Sequence, residues 1–307
     1  MSVVLRQAGV KMKERMIFKK DLKEKNELVN IALDRFLPRK DEYPKQIHKA
    51  MRHTLFAGGK RIRPYLMIRT YNLLSDDNDK IIEVAAALEL MHTYTLIHDD
   101  LPEIDNDDIR RGKPSCHVVY GSDLALLAGD ALLVNSVELM SMTDLNDLLK
   151  LKVIREFLTF CGDQGLIAGQ MADILNEGKK GTPKMLEFIH LNKTVKLFQL
   201  CTRIACLIAD AKSDDYERLD RYGYLFGMVF QIIDDILDIE GDEKSLGKTI
   251  GKDEERKKMT YPAVYGLEKS KNKAAEMIEE ANTILDHYGE KALHLKLLNN
   301  FIVSRKL

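Results

Sequence analysis

The 307 residues contain no tryptophan, and proline (7), cysteine (4) and glycine (18) are sparse. Few turn formers against much Leu, Ile, Lys, Glu and Ala exclude a turn-dense β fold and favour helices. Excess charge of either sign is also missing: 47 Lys+Arg stand against 48 Asp+Glu, a formal net charge of −1, which argues against a bulk-basic nucleic-acid binder. The cysteines, Cys116, Cys161, Cys201 and Cys206, form no CxxC pair and are too few for a disulfide framework. They read as small buried hydrophobes in a reduced, cytoplasmic compartment. No run approaches roughly 18 uninterrupted apolar residues, so no membrane span is expected. The richest stretch, Tyr222 to Ile233, stops at Asp234 and Asp235. GxxxxGK[ST] is absent as well, so Gly58-Gly59 is not a nucleotide P-loop. What is present, 45% apolar residues, suffices for a large core and excludes a disordered chain.

The first 25 residues carry eight basic and three acidic side chains without an apolar core or small-residue cleavage site, unlike a secretory signal. We expect residues 1–15 to be a flexible, dispensable extension, and residues 16–307 to form one domain whose first helix opens at Met16. Apolar residues recur at helical spacing over Ile81–His98, Asp123–Met142, Leu148–Glu177, Pro183–Ala211, Asp215–Ile239, Pro262–Tyr288 and a last stretch to about Ser304. Breaks fall at Gly58-Gly59, Arg111–Pro114, Gly178–Pro183 and Gly241–Gly251. No alternating strand pattern or fixed repeat interrupts them, and the expectation is a single-domain all-α bundle.

Two segments depart from ordinary helix surface. LIHDDLPEIDNDDIRRG places Asp99, Asp100, Asp105, Asp107 and Asp108 after an apolar helix, and FQIIDDILDIEGD places Asp234, Asp235, Asp238 and Asp242 on another. Burying several like charges is costly unless cations or ligands neutralise them. Asp234 and Asp238 share a helix face, with Gln231 one turn earlier. Asp99 and Asp105 are six apart, and Pro102 disfavours a regular turn between them, so a bulged or terminated helix could bring both carboxylates together. Hard oxygen donors, few per cluster, suit Mg²⁺ bridging to phosphate oxygens. Cations accompany them: Lys60, Arg61 and Arg63 in GGKRIRP, Arg110, Arg111 and Lys113 directly after the first cluster, then Lys193-Thr194, Lys248, Lys252, Lys257 and Lys258. Guanidinium forks beside such carboxylates are the pattern for binding diphosphate. His92 lies two helical turns before Asp99 on the same face, either as a core histidine or as a further diphosphate contact.

These segments, with LAGDALL, GQMADIL, NKT, LGKTIGKD and K-TYPA in the same order, resemble the trans-isoprenyl diphosphate synthases, above all the bacterial-type farnesyl diphosphate synthases (geranyltranstransferases). The likeness runs from about Asp21 to the C terminus. It implies an all-α bundle of about ten core helices around a deep central cavity, usually a homodimer. It further implies a prenyltransferase that joins isopentenyl diphosphate to dimethylallyl or geranyl diphosphate. Asp99, Asp100 and Asp105 would bind Mg²⁺ on one wall, and Asp234 with Asp238 on the other, three ions in all once substrate is bound. Arg110, Lys193, Thr194, Gln231, Lys248 and Lys258 would hold the allylic diphosphate and its metals. Lys60, Arg63, His92 and Arg111 would hold isopentenyl diphosphate.

Tyr94 and Thr95 sit where the resemblance implies a floor beneath the growing chain, and an aromatic there favours a C15 product. Two residues depart from the family pattern. Val195 stands where relatives usually have Gly, and Glu103 where they have a small residue. The rival readings are a geranylgeranyl or other short-chain synthase, an all-α Mg²⁺-dependent pyrophosphatase, and a non-catalytic prenyltransferase subunit. The cationic GGKRIRP and RRGKP segments argue against hydrolysis, which needs no second diphosphate site, and intact acidic clusters argue against a catalytically empty subunit.

Overall fold

The apolar periodicity folds into α-helices throughout the computed structural model, which describes residues 3–77, 79–240 and 258–304, with backbone alone for residues 3–11 and Asp79. In chain order these are α1 (Val3–Phe36), α2 (Lys45–Leu55), α3 (Ile62–Leu74), α4 (Asp79–Asp99), α5 (Cys116–Tyr120), α6 (Ser122–Met142), α7 (Asp147–Cys161), α8 (Leu166–Asn176), α9 (Pro183–His190), a π-helical segment Leu191–Val195, α10 (Lys196–Ile208), α11 (Ser213–Glu240), α12 (Tyr261–Tyr265), α13 (Leu267–Asp286) and, after a 3₁₀ turn, α14 (Leu293–Val303). The fold is all-α apart from one antiparallel hairpin, β1 (Ile109–Arg110) paired with β2 (Lys113–Pro114), within the RRGKP break. Two-residue strands are too short to leave an alternating pattern in sequence.

Helix α4 is central. Ile81, Val84, Leu88 and Met91 are buried together with Ala85, Ala86 and Ala87, so it is enclosed on nearly every side. It packs against α1, α3 and α6. Gly129 on α6 permits close approach, because a Cβ there would lie 2.2 Å from His98 Nε2. A second layer stacks α10 on α11, and α11 on α13. Here Gly223 makes room for Thr202, and Gly227 for Val195. Starts follow ordinary capping chemistry: Asn146, Thr182 and Thr260 accept from the backbone N–H three residues on, and proline follows the last two. Such caps each contribute about 1 kcal/mol.

Helix α1 runs unbroken through Met16, where the sequence pattern places the first helix start. Asp21 fastens it to α3, accepting from Tyr65 Oη at 2.6 Å and Arg69 Nε at 2.9 Å, while the Phe18 ring meets Tyr65 and, on α14, Phe301. All four cysteines are buried thiols. Among the described residues one helix, Ser122–Met142, is long and apolar enough to cross a membrane, although its acidic and polar residues keep it from being an uninterrupted apolar run. Its Ala125, Ala128, Leu132 and Leu139 are in the core, and Asp123, Asp130 and Glu138 interrupt the rest.

Candidate active site

A cavity of about 1160 Å³ lies between α4 and α11, the two helices that carry the acidic clusters. Leu166 and Gln170 of α8, the π segment and Leu197 of α10 close one side. Glu14, Arg15 and Phe18 of α1 and Leu297, Asn300 and Phe301 of α14 also line the cavity.

On the first wall, α4 ends at Asp99 and the chain doubles back through Pro102. Asp105 N–H donates to Asp99 C=O at 2.8 Å, Asn106 N–H to Leu101 C=O at 3.0 Å, and Asn106 takes a φ of 43°. A terminated helix thus brings Asp105 to Asp99, one of the two geometries that the six-residue spacing allows. Burial, reinforced by Asp105, raises the Asp99 carboxyl to about 6, against the opposing pull of Lys193, Arg110 and Lys258. Asp105 accepts from Lys258 Nζ at 2.9 Å. Asp100 is placed otherwise than the resemblance implies. It is 1% exposed, absent from the cavity lining, and paired with Arg110, whose Nε donates to it at 2.9 Å. Arg110 also reaches Asp107 at 3.2 Å. Asp100 therefore orients a cavity-lining cation instead of facing a metal. Glu103 is exposed, so its carboxylate does not crowd the acidic wall.

On the second wall, Asp234 lines the cavity and Asp238 is buried one turn on. Asp235, also buried, accepts from Gln231 Nε2 at 2.7 Å and from Tyr261 N–H at 2.7 Å, and His190 Nε2 lies 3.4 Å away. Gln231 in turn accepts from Thr194 Oγ1 at 2.6 Å. The NKT residues lie in the π segment, a helix irregularity that recurs at functional sites. Gly169 permits it, since a Cβ there would fall 2.2 Å from the Lys193 backbone nitrogen. Lys193 and Thr194 line the cavity, and Lys193 Nζ donates to Asp173 at 2.6 Å. Burial alone would lower this ammonium, but Asp173, Asp99 and Asp105 together raise it, so it stays charged. Val195 points away and packs against Gly227.

The cations of GGKRIRP and RRGKP meet at the opposite corner. Lys60, Arg63, His92 and Arg111 all line the cavity. Arg63 Nη1 donates to His92 Nε2 at 3.2 Å and stacks over Phe198, 4.5 Å from the ring centroid. Burial, then Arg63 and Arg111, hold the His92 imidazole well below its ordinary range, so it is neutral and can accept that bond. Gly58 and Gly59, at φ of 115° and 122°, let the chain pass under Arg111. A Cβ on Gly59 would lie 2.7 Å from Arg111 Cζ.

Thr95 lines the cavity one turn below Asp99. Tyr94 is not in the lining; its ring meets His98 edge-on at 4.8 Å. Lys248, Lys252, Lys257 and Asp242 lie outside the described residues. Among the described residues no three His, Cys, Asp or Glu side chains converge into a ready metal cage. The carboxylates are divided between two walls, which suits a hard cation that completes its oxygen shell with substrate phosphate. Sequence reasoning overlooked Gln170, Phe230, Asp173, Glu89 and the contributions of α1 and α14. Gln170 and Asp173 stand inside GQMADIL and Phe230 opens FQIIDDILDIEGD, yet none of the three is given a role by those motifs alone.

A polyprenyl synthetase family model matches residues 44–294. The farnesyl diphosphate synthase of Geobacillus stearothermophilus is 44% identical over 287 residues, 92% of this chain and 96% of that one. The geranylgeranyl diphosphate synthase of Cyanophora paradoxa is 42% identical over 288 residues, 92% of this chain and 95% of the relative. Among solved structures, the geranyltransferase of Helicobacter pylori, complexed with magnesium and isoprenyl diphosphate, superposes with a TM-score of 0.80 at 29% identity, covering 92% of this chain and 96% of its own.

Proposed function

Since the chain belongs to the polyprenyl synthetase family, and so is a trans-prenyltransferase, we propose that it condenses isopentenyl diphosphate with dimethylallyl or geranyl diphosphate to give farnesyl diphosphate. The observation that carries this reading is one cavity lined by Asp99 and Asp234 together with two separate cation sets, Arg110 with Lys193 and Lys60 with Arg63 and Arg111. A hydrolase needs one diphosphate site; joining two diphosphates needs both.

Polyprenyl synthetases depend on magnesium. Here Asp99, Asp105, Asp234 and Asp238 would hold it, three ions with substrate bound, where it would supply positive charge to offset that of the leaving diphosphate. Arg110 and Lys193 bind and orient that diphosphate, with Thr194 and Gln231 beside it and Lys248 and Lys258 assigned to the same group. Their charge stabilises the anion as the allylic C–O bond breaks. Leu96, Leu166, Leu197 and Phe230 keep water from the resulting cation. The double bond of isopentenyl diphosphate, held by Lys60, Arg63, His92 and Arg111, attacks C1, and the proton then lost passes to the departed diphosphate.

Incubation with Mg²⁺, isopentenyl diphosphate and geranyl diphosphate, followed by chromatography of the dephosphorylated products, should give farnesol. Diphosphate release without consumption of isopentenyl diphosphate would instead mean hydrolysis. A geranylgeranyl product is the second reading, favoured by the absence of Tyr94 from the lining. If Tyr94→Ala leaves the product distribution unchanged, the floor lies elsewhere. We also assign the exposed apolar strip of Val118, Val119, Leu126, Leu127 and Val134 to the contact of a homodimer. Sedimentation equilibrium finding only monomers would refute that assignment.

A further inference from the structure

Three arginines, Arg61, Arg63 and Arg111, crowd beside one corner of the cavity, and a single buried carboxylate meets two of them. Glu89, on α4 one turn before His92, is 1% exposed. Arg61 Nη1 donates to it at 2.6 Å, and Arg111 Nη2 lies 3.6 Å from the same oxygen. Arg61 is itself buried and does not line the cavity, whereas Arg111 does. The carboxylate thus has one face on a structural cation and the other on a cation that opens to the ligand.

The Arg111 guanidinium is fixed on three sides. Its Nη1 donates to Gly58 C=O at 2.6 Å, its plane lies against Gly59, and its Nη2 points to Glu89. Removing any one support frees a long side chain that otherwise presents the same N–H edge to the cavity. Arg63 and His92 stand beside it, and mutual repulsion of Arg61, Arg63 and Arg111 would splay the corner without a counter-charge. A neutral amide of the same shape would fill the space and still accept one N–H, but would supply no counter-charge.

We propose that Glu89 is a positioning residue that presets the isopentenyl diphosphate site by orienting Arg111, without touching substrate. The inference rests on the assignment of that corner to isopentenyl diphosphate. Replacing a charge-assisted partner by a neutral one should weaken binding about ten- to a hundredfold. Glu89→Gln should therefore raise KM for isopentenyl diphosphate by that factor, while KM for geranyl diphosphate and kcat stay within about threefold. Equal rises in both KM values, or a fall in kcat alone, would overturn it. The double variant Arg61→Gln/Glu89→Gln separates positioning from neutralisation of Arg61, and it serves if the single variant does not fold. A KM for isopentenyl diphosphate that stays high supports orientation of Arg111; return to the wild-type value refutes it. Wild-type consumption of isopentenyl diphosphate is the control on the underlying assignment. If it is absent, the assignment falls and the inference with it; if present with an unaltered Glu89→Gln, only the inference falls.

Discussion

The two acidic walls divide their labour in the same way by different architecture. In each, the first aspartate of the pair, Asp99 or Asp234, lines the cavity. The second is buried and committed to protein: Asp100 to Arg110, and Asp235 to Gln231 and the backbone of Tyr261. On the α4 side the helix stops, and a hydrogen-bonded reversal returns Asp105 to Asp99. On the α11 side the helix continues to Glu240, so Asp238 returns by helical pitch alone. The α4 wall gathers its charges at a helix end held by an arginine, and the α11 wall on a rod held by amides. A DD pair is accordingly one cavity-lining carboxylate and one brace.

The sharpest way to break this comparison is to neutralise the outward members. Asp99→Asn and Asp234→Asn should each lower kcat on the order of 10³-fold in isoprenyl transfer assays, with little change in urea unfolding. The inward members should behave oppositely. Asp100→Asn leaves Arg110 without its buried partner and should cost about 3–5 kcal/mol of stability. Asp235→Asn keeps one acceptor oxygen between the Gln231 amide and the Tyr261 N–H, with His190 3.4 Å away, and should cost about 1–3 kcal/mol. If Asp100→Asn proves as stable as wild type, the brace assignment fails.

Proton competition gives a smaller effect. Asp99 titrates near 6 without metal, above its ordinary value. A carboxyl raised in this way favours the folded state at low pH, and that contribution fades as pH rises through about 6. Under the proposal that Asp99 holds magnesium, which requires the ionised form, the affinity should fall about tenfold per unit below that pH, as calorimetric titrations at about pH 5 and about pH 7.5 would reveal. Asp99→Asn should flatten the dependence. Smallest of all are the two departures from the family pattern. Val195→Gly should cost about 1–3 kcal/mol from lost packing and flexibility while leaving product length unchanged. Glu103→Ala should change neither. A shift of product length in Val195→Gly would place that side chain at the cavity after all.

Much of the fold was legible because burial on one face leaves a period in the sequence. Ile81–His98 became Asp79–Asp99, Asp123–Met142 became Ser122–Met142, and Asp215–Ile239 became Ser213–Glu240. The stretch Leu148–Glu177 reads as continuous but divides into α7 and α8 at Gly162-Asp163-Gln164-Gly165, a polar, glycine-flanked turn signal that the apolar spacing on either side overshadows. The π segment left no such signal: one widened turn shifts register without interrupting the pattern. Outward aspartates and cavity-lining arginines were readable because charge clusters on apolar helices demand partners. The role of Glu89 was not, because a carboxylate mid-helix shows its partners only once Arg61 and Arg111 are brought to it from elsewhere in the chain. Asp100 stood next to Asp99 in sequence, yet adjacent helical positions point about 100° apart.

Glu14, Arg15 and Phe18 of α1 line the same cavity as Phe301, Val303 and Ser304 at the other end of the described chain. A deletion to Met16, the boundary suggested by the periodicity, would strip two lining residues from a helix that otherwise keeps its anchor at Asp21. The two ends are not equivalent as places for a tag: Val303 and Ser304 line the cavity themselves, whereas α1 runs about 16 Å on from Glu14 to Val3. Expression designs for this protein therefore favour a tag at the N-terminal end, and leave the C-terminal helix unburdened when kinetics are measured.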